Sequence, residues 1–228
     1  MKRKRVVQSK LFPLKKKSNV KVDETFLSIV KDESKVALVR YFDAFLTRKQ
    51  ANELYAEIYA KKDTLFKQDT YILFGNAKKA PRLSAAFGSK GSTYTYSGMT
   101  QPAITDWPLK LLECKALVEQ KLDCKLNYAL VNIYETGKDY IGWHSDDEKD
   151  LESNTPICSI SLGDERKFQL REKYSKGETP TKIYSKVLAH GSLCTMEKQT
   201  QQICKHKVPV KPKASSPRIN ITFRSIIN

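Results

Sequence analysis

The chain holds three histidines, and one of them lies in Gly142-Trp143-His144-Ser145-Asp146. Side chains two apart on an extended segment project to the same side. His144 and Asp146 therefore present an imidazole and a carboxylate together. A third ligand from a distant strand would complete a facial triad of two histidines and one carboxylate. That donor set suits Fe(II) and leaves coordination positions open for a co-substrate and O2. His206 and His190 are the remaining histidines that could supply it. A histidine and an acid two apart also occur in ordinary turns, so the pair alone specifies little.

The C-terminal stretch Arg218-Ile219-Asn220-Ile221-Thr222-Phe223-Arg224 is more specific. Arg218, Asn220, Thr222 and Arg224 share one parity, and Ile219, Ile221 and Phe223 the other. As a strand, it has one apolar face and one face with two guanidinium groups. Cations turned into a core are costly without anionic partners. A bound dicarboxylate would supply them, because arginine grips a carboxylate through two parallel charge-assisted bonds. The plain alternative is a polar face in water. Asn132 and Tyr134 share parity on a strand leading toward the His144 loop, and would add neutral groups to the same pocket.

Two helices and a set of short strands must position these residues. Thr47 followed by Gln50 is a capping box. Ala51, Leu54, Tyr55, Ile58 and Tyr59 follow at helical spacing. A second helix is predicted from near Pro108 to about Lys121, with Asp106 as its cap and Leu109, Leu112 and Ala116 along one stripe. Beyond residue 125 the pattern predicts strands over 126–134, 157–162, 167–171, 192–196 and 218–226. The fold class is therefore α+β, a barrel or jelly roll braced from outside by the preceding helices.

Composition bounds the rest. At 228 residues, 40% hydrophobic and 29% charged, the chain is of single-domain size and globular. Lys plus Arg is 41 against 25 Asp plus Glu, a net charge of +16. This predicts a polyanionic partner, nucleic acid before an anionic membrane surface. Residues 1–22 carry nine basic groups and no acid, so taking nine from +16 leaves +7 on residues 23–228. The expected organisation is a basic arm over 1–22 and a catalytic domain over 23–228. Basic runs at 2–5 and 15–17 read as a nuclear localisation signal. Gln8 and Leu11 suggest a sliding-clamp contact, although Leu14 and Lys15 stand where such a peptide has an aromatic pair. The arm's lysines and arginines interrupt any apolar leader, and no apolar run is long enough to span a membrane. Five cysteines, an odd count without a C-x-x-C pair, fit a reduced intracellular protein.

Taken together, Asn132-Ile133-Tyr134, His144-Ser145-Asp146, His206 and the 218–224 stretch resemble the AlkB family of Fe(II)/2-oxoglutarate dioxygenases. The resemblance implies a double-stranded β-helix (jelly-roll) core. It makes His144, Asp146 and His206 the iron ligands. It makes Asn132, Tyr134, Arg218, Asn220, Thr222 and Arg224 the 2-oxoglutarate pocket, with Arg218 at the distal carboxylate and Arg224 nearer the iron. His190 then falls outside the triad as a structural histidine. The co-substrates implied are 2-oxoglutarate and O2.

Upstream, Phe74-Gly75, Pro81-Arg82 and the run from Thr93 to Gly98 are similar to the nucleotide-recognition lid of the family's duplex-DNA repair branch, over about residues 70–100. Asp147 and Glu148 fit the same branch. By this resemblance Phe74 enters the base stack, with Gly75 and Asn76 beside it, and Arg82 sits near the opposite strand. Tyr94, Tyr96 and Ser97 line the base pocket, and Asp147 or Glu148 favours a cationic base. The implied activity is oxidative demethylation of 1-methyladenine and 3-methylcytosine in DNA by base flipping, in a nuclear monomer. The alternatives are a demethylase of RNA or single-stranded DNA, and a non-catalytic nucleic-acid-binding jelly roll.

Overall fold

The structure, a computed structural model, describes residues 24–32, 35–73, 75–89, 93–96, 99–152, 155–174 and 182–227. The arm over 1–22, Phe74 and Ser97 lie outside the described residues. In chain order the elements are β1 (Glu24–Asp32), β2 (Lys35–Phe42), α1 (Arg48–Ala60), α2 (Lys62–Leu65), β3 (Thr70–Leu73), β4 (Asn76–Lys79), β5 (Leu83–Phe87), β6 (Thr93–Tyr96), β7 (Met99–Pro102) and α3 (Leu109–Leu122). They continue as β8 (Tyr128–Tyr134), β9 (Ile141–His144), β10 (Ile157–Gly163), β11 (Arg166–Glu172), β12 (Tyr184–Leu188), β13 (Ser192–Lys198), α4 (Thr200–Ile203), β14 (Cys204–Val208) and β15 (Arg218–Arg224).

Two antiparallel sheets build the body. The larger has the order β1-β2-β13-β10-β15-β8-β5 and the smaller β12-β11-β14-β9. Hairpins β3-β4 and β6-β7 stand apart from both. This is the expected jelly roll, and β15 shows why the sequence specifies it. Ile219, Ile221 and Phe223 are fully buried in one cluster with Leu54 and Ile58 of α1 and Leu111 and Val118 of α3. That cluster fixes the helices on the outer face of the larger sheet. A second cluster, including Val39, Met196, Phe168, Leu170 and Val208, draws on both sheets. The opposite parity of β15, from Arg218 to Arg224, faces the space between the sheets. Burying three large apolar side chains contributes on the order of 1.5–3 kcal/mol each, which sets the register. A one-residue slip would exchange the two faces.

Three expectations need correction. The helices do not come first: the hairpin of β1 and β2 precedes them and extends the larger sheet through β13. Asp106 does not cap α3. Pro108 occupies the cap position, and Glu57 of α1 instead accepts a hydrogen bond from Lys110 N at 2.8 Å. A carboxylate from the neighbouring helix thus serves one of the orphan donors of the first turn. Nor is Leu109-Leu112-Ala116 the buried stripe. α3 buries Leu111, Cys114 and Val118, and leaves Leu109 and Leu112 exposed. The capping box of α1 is as expected, with Gln50 N donating to Thr47 Oγ1 and Thr47 N to Gln50 Oε1.

His190 ties the helix layer to the sheet. Gly163 N donates to its Nδ1 at 2.9 Å, so Nε2 carries the proton and donates to Asn52 Oδ1 at 3.1 Å. Gly163 closes β10 at φ +83, where a Cβ would collide with the Pro217 carbonyl. Burial, and secondarily Arg48, lower the His190 pKa from 6.5 to about 4. Between those values the unfolded chain binds a proton that the folded chain refuses. Stability from this neutral histidine is therefore complete above pH 6.5 and is lost as the pH falls toward 4. Thermal melts should show a smaller drop in Tm from pH 7 to 4 for His190→Gln than for the unaltered protein. An equal drop would remove the assignment.

Candidate metal centre and co-substrate pocket

The two candidate histidine ligands meet through strand pairing. His206 on β14 lies directly opposite His144 on β9, so both side chains point to the same side. Their rings are 4.1 Å apart between centroids. Asp146 follows β9 by two residues, with its Oδ1 3.6 Å from His144 Nε2 and its Oδ2 4.0 Å from His206 Nε2. One ligand atom from each of the three lies within 4.8 Å of the others. His144 Nδ1 donates to Gly142 O at 2.8 Å, which fixes its tautomer and turns Nε2 inward.

The segment after β9 is held from α4 and β14. Ser145 Oγ donates to Cys204 O and Asp146 N to Gln201 Oε1, each at 2.9 Å. Gln201 Nε2 contacts the Met196 sulfur at 3.1 Å. Burial opposes the Asp146 charge, but Arg224, His206, His144 and Arg82 outweigh it and bring its pKa down to about 2. Burial, and then the neighbouring His144, lower the His206 pKa to about 3. At neutral pH the carboxylate is ionised and the buried imidazole neutral, the forms in which both groups ligate metals.

A cavity of about 640 Å³ opens beside these groups, lined from the larger sheet by Asn132, Tyr134, Asn220, Thr222 and Arg224 and from the smaller by His144, Phe168 and His206. Arg224 Nη2 is 3.2 Å from Asp146 Oδ2. Arg218 lies six residues away on β15, about 20 Å in an extended strand, at the other end. It is 1% exposed. Its Nη2 donates to Ser161 Oγ and Asn220 Oδ1 at 2.9 and 2.8 Å, while Nε and Nη1 have no hydrogen-bond partner. The Tyr134 ring is 5.2 Å from the Arg218 guanidinium and 5.6 Å from that of Arg166. Burial lowers the Arg218 pKa to about 10, so it remains a cation. A buried cation with unmet donors behind Asn220 fits a carboxylate ligand.

In the stretch that the resemblance reads as a lid, the residues take several positions. Gly75, at φ +76, makes the turn between β3 and β4, and Asn76, Lys78 and Lys79 are exposed on β4. Tyr94 and Tyr96 fall on β6, paired in backbone with Gln101 and Met99 of β7. Arg82 is turned toward the cavity. Its Nε donates to Asn132 Oδ1 at 3.0 Å, at the cavity wall. The amide oxygen and the nearby Asp146 carboxylate attract it inward. Asp147 and Glu148 both border the cavity, and Asp147 also pairs with Lys173 at 2.9 Å.

The profile of the 2OG-Fe(II) oxygenase superfamily matches residues 38–224. The chain belongs to this superfamily. Its members similar to this one include the DNA oxidative demethylase ALKBH2 of Homo sapiens, 39% identical over 158 residues, 68% of this chain and 60% of that protein. The alpha-ketoglutarate-dependent dioxygenase alkB homolog 3 of Bos taurus is 34% identical over 186 residues, 80% of this chain and 64% of that one. The chain thus spans about three-fifths of the length of these curated relatives. The structure of OsALKBH1 superposes with a TM-score of 0.56 at 18% identity, covering 82% of this chain and 97% of that one, a likeness of fold.

Gln201 was not singled out by the sequence because a glutamine on a four-residue helix carries no motif. Its place at the Asp146 amide gives an outer contact of the kind that orients a metal ligand. Gln201→Leu should weaken Mn(II) binding about tenfold by calorimetric titration. Gln201→Glu keeps the acceptor and should lose much less. Equal affinities in all three proteins would deny Gln201 that role.

Proposed function

We propose that this protein removes methyl groups oxidatively from N-alkylated bases in DNA, using Fe(II), 2-oxoglutarate and O2. The carrying observation is the His144-Asp146-His206 cluster beside a cavity lined by Asn132, Tyr134, Asn220 and Thr222, with the buried, incompletely bonded Arg218 held behind Asn220. His144, Asp146 and His206 would hold the iron. Arg218, with Asn220, Thr222, Tyr134 and Asn132, would hold the dicarboxylate, and Arg224 would steady Asp146. Iron loaded with 2-oxoglutarate and O2 supplies oxidation of an N-linked methyl group to a hydroxymethyl group, with succinate and CO2 as co-products and formaldehyde as the leaving fragment.

This chain's residues bind, orient and shield. Neutral His206 and ionised Asp146 accept a metal without first losing a proton. Phe168 and Val208 from the smaller sheet and Met196 from the larger make part of the cavity wall apolar, which limits water at the reacting methyl. The substrates that fit are 1-methyladenine and 3-methylcytosine. Both are methylated on the pairing edge and cationic, so they pair poorly and cost less to extrude. Asp147 and Glu148 at the cavity border suit a positive base. The relative ALKBH2, a DNA oxidative demethylase, supports DNA as substrate, and the sequence reading of Phe74 as a residue that enters the base stack supports the duplex form. The basic arm over 1–22 supports a nuclear location and leaves room for a clamp contact near Gln8 and Leu11.

The test is a methylated duplex oligonucleotide incubated with protein, Fe(II), ascorbate and 2-oxoglutarate. We expect loss of one methyl mass and equal succinate, both abolished in His144→Ala; mass loss in that variant would remove the metal assignment. Phe74→Ala should impair duplex repair far more than single-strand repair, and equal impairment would favour the single-strand reading. Arg218→Met should raise the KM for 2-oxoglutarate about a hundredfold, the scale of two hydrogen bonds to a charged group. An unchanged KM would place the co-substrate elsewhere.

A further inference from the structure

The outer face of the smaller sheet is a second candidate surface. On β14 and β11 the buried residues are Cys204, His206 and Val208, and Arg166, Phe168 and Leu170. The alternate residues, Lys205, Lys207, Lys167, Gln169 and Arg171, therefore point outward. On β9, Trp143 alternates with the inward His144 and joins them. Among the described residues of this outward set there is no Asp or Glu. Arg171 and Lys205 stand directly opposite one another, an arrangement of like charges that destabilises a strand pair.

Side-chain geometry makes this face more than a solvated patch. The Arg171 guanidinium lies 4.5 Å from the Trp143 ring and 4.5 Å from the Tyr174 ring, and Lys207 Nζ lies 4.7 Å from the Trp143 ring. Arg171 Nη1 donates to Tyr174 Oη at 2.7 Å, while its buried Nε has no hydrogen-bond partner. One indole thus holds two cations in place, and an aromatic hydroxyl rather than an acid orients the arginine. Trp143 also borders the cavity that contains His144, so the face is continuous with the mouth of the site.

We infer that Arg171, Lys205 and Lys207, organised on Trp143, form a track for the phosphodiester backbone of the nucleic-acid strand as it leaves the cavity. The inference rests on the reading that a base of that strand enters the cavity. Phosphates match the chemistry: they supply the missing anions, accept from a guanidinium in bidentate fashion, and relieve the Arg171–Lys205 repulsion. A strand running past Trp143 needs no new opening in the fold.

The chain has two tryptophans, so Trp107→Phe leaves Trp143 as the only indole reporter. Titrating this protein with unmodified oligothymidylate should change the indole emission. The dissociation constant should weaken steeply with salt. Adding Lys205→Gln and Lys207→Gln should reduce the log–log salt slope by about 1.4, since each single-strand phosphate contact contributes about 0.7. Demethylation of a methylated oligonucleotide is measured in parallel. Parent demethylation with an unchanged slope in the double variant overturns the track and spares the enzymatic reading. A reduced slope with no parent demethylation sinks that reading, and with it the passage from the cavity.

Discussion

A guanidinium buried without a carboxylate organises this structure. Arg218 lies between the sheets, stays charged, and keeps two donors without a hydrogen-bond partner. No acid among the described residues pairs with it. Such a group costs several kcal/mol of desolvation, and the fold tolerates it because Ile219, Ile221 and Phe223 on the same strand are fully buried against the helices. The apolar face of β15 offsets the polar one. The resulting demand for an anion accounts for the polar sequence of that inner face. Ser161, Asn220, Thr222 and Tyr134 all help to support the cation or to shape the approach to it.

The metal cluster is organised differently. His144 and His206 come from short strands of the smaller sheet, and Arg224 from the larger. The Arg224–Asp146 pair crosses between the two sheets at 3.2 Å. Arg166 contributes behind the pocket, where its Nη2 donates to Asp139 O and Pro209 O at 2.5 and 2.7 Å. These bonds tie the β8–β9 connection to the chain after β14, which shortens the freedom of both histidine-bearing strands. Geometry at the site therefore depends on a buried arginine that touches none of the ligands.

How far the sequence revealed this follows from the length of each signal. Strand β15 carries seven alternating residues; its start is readable to the residue, while the expected end at 226 lies two residues beyond Arg224. Strands β9 and β14 have four and five residues, and β9 is broken by a register shift near Gly142. No periodicity can be read over so few positions, so their convergence rested on resemblance. Helix α3 misled because its leucines occupy two faces. Spacing alone does not say which face meets the sheet, and Leu111-Cys114-Val118 is decided by contact with α1. Arg82 and Gln201 depend on partners 50 and 55 residues away. Such bonds leave no local trace.

The smaller sheet then joins two tasks through the strand period of two. His144 and His206 point inward because their neighbours Trp143, Lys205 and Lys207 point outward. Slipping β14 by one residue would bury its lysines and expose His206, and slipping β9 would exchange Trp143 for His144. The pairing that aligns the ligands also exposes the cations beside the cavity mouth. Selection for a metal cluster within ligand distance thus constrains the charge pattern of the outer face, and the basic residues there need no element of their own. The sequence of the arm over 1–22 holds nine basic groups and no acid. In the folded body, by contrast, position and charge are set by one register.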